Sequence, residues 1–78
     1  MIVTTTETVP DRTISTTHGV VRGYTELATN SRERAEKRME AEAKSMGADA
    51  IVGVRFMTGN DGDGASEVLA YGTAVSLQ

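Results

Sequence analysis

A chain of 78 residues with one Phe, two Tyr, no Trp and four Met has room for one domain, residues 1–78, and a modest core. It contains no cysteine, which excludes disulfides and thiolate metal sites, and its net charge of −3 argues against non-specific nucleic-acid binding. Small scaffolds that lack such staples are commonly reinforced by oligomerisation, so a homo-oligomer is expected.

The opening stretch, Met1 to Pro10, has no basic segment followed by a long apolar core, so it does not read as a signal peptide. No apolar run in the sequence is long enough to span a bilayer. The expected setting is cytoplasmic, with no membrane partner. Residues 2–6, Ile-Val-Thr-Thr-Thr, read as a short β-branched strand, and Pro10-Asp11 marks a turn. From Thr13 to Arg22 a second strand is expected, with Ile14, Thr16, His18 and Val20 on one face and Ser15, Thr17, Gly19 and Val21 on the other.

Tyr24, Ala28, Ser31, Ala35, Met39, Ala43 and Met46 then recur at spacings of three and four, one stripe of a helix. The stripe predicts a start near Thr25. Asn30 with Glu33 three residues later offers a second start, by analogy with a capping box. Gly47 suits the left-handed position that ends many helices. The small stripe residues let the helix lie close to a sheet. Glu33–Lys37 and Glu40–Lys44 are i,i+4 pairs in the favourable order, each worth about 0.2–0.5 kcal/mol.

A third strand is predicted over residues 50–57, with Ala50, Val52, Val54 and Phe56 as the core face and Ile51, Gly53, Arg55 and Met57 opposite. Residues 58–64 read as a turn, and residues 66–77 as a long strand whose two faces are both largely apolar. One helix covers one face of a sheet. The other face remains, and exposed apolar patches of that kind mark interfaces. Gly19, Gly23, Gly53 and Gly72 fall in or beside strands, where glycine marks a bulge or the close approach of another backbone.

Three blocks in order, His18–Gly23 (HGVVRG), Gly47–Phe56 (GADAIVGVRF) and Glu67–Leu77 (EVLAYGTAVSL), after an N-terminal Thr-Thr-Thr, resemble the YbjQ-like family. That resemblance implies an α+β subunit of the dodecin-like class, β-α-β-β in two layers. In it one helix lies on an antiparallel sheet, and an extra short N-terminal strand pairs with a neighbouring subunit. It also implies a closed homopentamer and, from the family's description, heavy-metal binding. Family members commonly carry a further segment between the GVVRG block and the helix. Here Tyr24-Thr25-Glu26-Leu27 follows Gly23 directly.

Chemistry-bearing residues are sparse. His18 is the single histidine and the one candidate metal ligand; imidazole ligates many transition metals, and copies could converge in a closed ring. A strand histidine more often packs or faces solvent. Asn60, Asp61 and Asp63 resemble part of a calcium loop, but the alignment puts Gly59 at its first position and Ala70 at its twelfth, where acidic ligands are required. Glu7 and Asp11 lie near a turn without an evident pocket. Arg22 and Arg55 suit an anion or an intersubunit ion pair. No nucleophile, base or cofactor motif stands out, so the expectation is a non-enzymatic ring-forming protein with a metal ion or small ligand as its partner. An oligomeric scaffold for another macromolecule is the alternative.

Overall fold

The computed structural model describes residues 1–26, 30–60 and 66–78. The described elements run β1 (Ile2–Val3), β2 (Ile14–Glu26), α1 (Ser31–Ser45), β3 (Ala50–Asn60) and β4 (Ser66–Leu77). They form an α+β fold in two layers, one helix on a four-stranded sheet of order β1-β3-β4-β2. The β2–β4 and β3–β4 pairs are antiparallel, while β1 runs parallel to β3, so the sheet is mixed.

The helix packs through Ala35, Met39 and Ala43, all fully buried, as the stripe predicts. They meet Val21 of β2, Ile51 and Val54 of β3, and Val68, Ala70 and Ala74 of β4 in one cluster, with Phe56 packed at its margin. Gly23 lies directly beneath the helix: a Cβ there would stand 2.0 Å from the Ala35 carbonyl oxygen and 2.4 Å from the Met39 nitrogen. The close approach expected at that glycine is made by the chain's own helix.

The expected early helix start is overturned. Tyr24, Thr25 and Glu26 continue β2, paired with Leu69, Val68 and Glu67 of β4. The backbone pairing of a long hairpin partner outweighs the helical spacing of Tyr24. Ala28 lies outside the described residues. Asn30 does precede the helix and its carbonyl accepts the Arg34 N–H at 3.0 Å. It does so at φ 62°, without a side-chain cap. Asparagine tolerates this left-handed conformation better than most residues. At the other end Gly47 (φ 81°) donates to Lys44 O at 3.0 Å and Ala48 to Ala43 O at 3.2 Å. This is the paired closure of a Schellman motif, with glycine at the expected position.

The faces of β3 differ from a simple alternation. Gly53 adopts φ 62° in a bulge between Val52 and Arg55. One extra residue inverts every later side chain. Ile51, Val54 and Phe56 therefore face the helix, whereas Ala50, Val52, Arg55 and Met57 take the opposite face. A second bulge, between Thr17 and Gly19 of β2, carries His18, and Gly19 adopts φ 126° there.

The N-terminal segment pairs with β3 of its own chain. Thr4 N donates to Ile51 O at 3.0 Å, Val54 N to Thr4 O at 3.0 Å and Gly53 N to Thr6 O at 2.7 Å. The Val9–Arg12 turn, closed by Arg12 N to Val9 O at 3.1 Å, then brings the chain to β2. Val9, Ile14 and Leu77 cover Ala50, Val52 and Val75, a small second core on the face away from the helix.

Candidate functional site

Two regions of the sheet face away from the helix hold the chemistry-bearing residues. The first is a hollow of about 430 Å³ beside the N-terminal segment, lined by Glu7, Ile14, Thr17, Val52, Gly53, Arg55, Thr73 and Val75. Its volume is in the range of small-molecule sites. The Gly53 bulge turns Arg55 onto this face, and Arg55 Nη1 donates to Thr5 O at 3.0 Å and Val54 O at 2.8 Å. The guanidinium thus ties the N-terminal segment to β3 at the rim, with Glu7 across the hollow. Asp11 does not join them.

The second is a shallower hollow of about 300 Å³, lined by Val20, Arg22, Met57, Leu69 and Tyr71. Register places Arg22, Tyr71 and Arg55 in one row across β2, β4 and β3, and Tyr24, Leu69 and Met57 in the next. Val20, Tyr24 and Met57 are exposed by 58%, 48% and 55%. The apolar second face foreseen in the sequence is therefore covered at one end and open at the other.

His18 stands apart from both hollows. Its Nε2 lies 2.7 Å from Ser76 Oγ, the donor depending on the tautomer. This pairing bridges the β2 bulge to β4, and nothing in the sequence separation of the two residues signals it. Serine and histidine in contact resemble the start of a hydrolytic set, but among the described residues no carboxylate is hydrogen-bonded to His18. Asp49 Oδ2 accepts the Leu77 N–H at 2.8 Å. Among the described residues a heavy-metal centre does not fit the donors present. The chain has no thiolate, its one imidazole is engaged by Ser76, and among the described residues no three His, Cys, Asp or Glu side chains converge. Asp61 and Asp63 lie outside the described residues.

Residues 19–78 match a family model described as "Putative heavy-metal-binding", the YbjQ-like model. The chain belongs to this family. A YbjQ-like relative from Vibrio campbellii, called UPF0145 protein, is 42% identical over 103 aligned positions that cover 99% of this chain and 99% of its own length. Those 103 positions exceed the 78 residues of the chain by 25, so the relative carries residues without a counterpart here. Another UPF0145 protein, from Photobacterium profundum, is 59% identical over 59 residues, 76% of this chain and 57% of its own. The crystal structure of a protein of unknown function from Pediococcus pentosaceus superposes with a TM-score of 0.73 at 22% identity, covering 100% of this chain and 98% of the other. At that identity the likeness is one of fold. None of these descriptions names a reaction. Among the described residues no helix is long and apolar enough to cross a membrane.

Proposed function

We propose that this YbjQ-like chain is a non-enzymatic subunit of a closed homo-oligomer that binds a small ligand. The observation that carries the reading is the open apolar strip of Val20, Tyr24 and Met57 beside Leu69 and Tyr71, left on a sheet whose other face is fully used by the helix. Burying such a strip contributes about 25 cal/mol per Å² of apolar area, before the costs of association. Five copies per ring is the number implied by the family resemblance, and a cytoplasmic setting agrees with the absence of cysteine.

The ligand site in this reading is the hollow beside Arg55, with Glu7, Thr17 and Thr73 as polar contacts and Ile14, Val52 and Val75 as apolar walls. Metal binding is weak in this reading, because His18 is the sole imidazole and no thiolate accompanies it. Sedimentation equilibrium at micromolar concentration tests the assembly. A stable folded monomer overturns it. Calorimetric titration with zinc, copper and nickel tests the ligand class: no stoichiometric site is expected, and a tight site that survives His18→Ala reverses the assignment.

A further inference from the structure

The hollow beside the N-terminal segment has one basic and one acidic side chain in its wall, Arg55 and Glu7. They do not pair with each other: among the described residues neither takes part in an ion pair. Arg55 is held by backbone instead. Its Nη1 donates both to Thr5 O at 3.0 Å and to Val54 O at 2.8 Å. The donors on Nε and Nη2 remain, and they form the edge of a guanidinium that grips a carboxylate bidentately. The backbone that carries Glu7 is fixed as well. Thr6 O accepts the Gly53 N–H at 2.7 Å, Thr6 N donates to Thr4 Oγ1 at 3.1 Å, and Thr6 Oγ1 donates to Thr8 O at 2.6 Å. The N-terminal threonine run thus sets the position from which Glu7 enters the wall. The Glu7 carboxylate itself is exposed and accepts no hydrogen bond among the described residues.

We propose that this hollow binds a small zwitterion, its carboxylate on the free edge of Arg55 and its ammonium on Glu7. The proposal rests on the reading of this hollow as the ligand site and names the class of ligand. A simple anion that meets Arg55 also faces Glu7, and a simple cation has the reverse difficulty. A molecule carrying both charges meets neither. Ile14, Val52 and Val75 form the apolar part of the wall, which suits a short aliphatic group beside the charges, as in valine. Because the backbone tethers preset the Arg55 head and the Glu7 main chain, binding immobilises little more of the protein. Arg55 and Glu7 are both exposed, so water competes and each charge contact is worth about fivefold in Kd.

Titrations of the isotope-labelled full chain, read from amide chemical shifts, test this with a set of small probes. Valine carries both charges; isovalerate lacks its ammonium, isobutylamine lacks its carboxylate, and 4-aminobutyrate sets the same two charges further apart. Valine or 4-aminobutyrate is expected to shift the Gly53 and Thr73 amides with a Kd about fivefold or more below that of either singly charged probe. Glu7→Gln should remove the advantage over isovalerate. Arg55→Lys, which keeps the charge and loses the fork, should weaken valine and isovalerate alike. A singly charged probe that binds these amides as tightly as both zwitterions overturns the zwitterion and leaves the hollow standing as a ligand site. So does an advantage over isovalerate that survives Glu7→Gln, or valine binding unchanged by Arg55→Lys, in variants whose spectra show the native fold. Shifts confined to residues away from Gly53 and Thr73, or no shift from any probe, overturn the zwitterion and the charged hollow together.

Discussion

Gly23 and Gly72 are both buried glycines of the sheet, but different atoms crowd them. A Cβ at Gly23 runs into backbone, the Ala35 carbonyl at 2.0 Å and the Met39 nitrogen at 2.4 Å, so the helix itself must lift. At Gly72 the nearest atom is a side-chain methyl, Ile51 Cγ2 at 2.7 Å, which turns aside more readily, although Val52 O stands at 3.0 Å. Gly23→Ala is therefore expected to lower stability by about 3 kcal/mol or more, enough to unfold a marginal domain, with Gly72→Ala nearer 1–2 kcal/mol. Urea unfolding midpoints of the two variants check the order; equal values contradict the tight seating of the helix on β2. His18 is a residue of the same structural kind. His18→Ala and Ser76→Ala should each cost about 1 kcal/mol, and their double mutant should show coupling. Additive losses would return His18 to the pool of available ligands.

At the scale of the element, the helix start separates two accounts of Asn30. If its side chain capped the helix, Asn30→Ser would be tolerated, whereas a left-handed backbone makes serine about as costly as alanine. With φ 62° and no side-chain cap, the conformation is what matters. Asn30→Gly should stay within a few tenths of a kcal/mol of the wild type, and Asn30→Ala should lose about 1 kcal/mol by thermal unfolding. A larger loss for glycine than for alanine would contradict this. The edge strand β2 is finished by the same helix: Glu42 Oε2 accepts the Arg22 N–H at 3.0 Å and Arg38 donates to the Tyr24 carbonyl. These contacts occupy backbone groups that an edge strand otherwise offers to another chain. The inward residues Ala35, Met39 and Ala43 were legible from their spacing, and Gly47 from its stop position. The extent of β2 was not, because Tyr24 fits both a helical stripe and a strand, and pairing with Leu69 decides between them. The parity of β3 was hidden by Gly53, since alternation cannot foresee an inserted residue at positive φ. The composition of the hollow was hidden for a related reason: Glu7 and Arg55 lie 48 positions apart and line one hollow only because the N-terminal segment pairs with the bulged part of β3.

For the molecule as a whole, Leu69 decides between a chain that is complete alone and one that is not. Its neighbours in the row, Tyr24 and Met57, are exposed in the single chain, and Leu69 itself is only partly buried. A charge at that position meets solvent in a monomer and disturbs little. In an assembly it enters the apolar row at the contact, where an unpaired charge is strongly unfavourable. Leu69→Glu therefore has opposite signatures in the two cases. For an oligomer, folding is linked to association, and the midpoint temperature of the wild type rises with protein concentration. The variant should then sediment as a smaller species, melt well below the wild type, and lose the concentration dependence. For a monomer, neither protein shows that dependence, and the two midpoints fall within a few degrees, the shift expected from a surface change of about 0.5 kcal/mol. Calorimetric scans at two concentrations a hundredfold apart, run on both proteins, distinguish these outcomes. A wild-type midpoint indifferent to concentration would place the whole stability of the fold inside one chain, in the Met39–Val21–Val68 core.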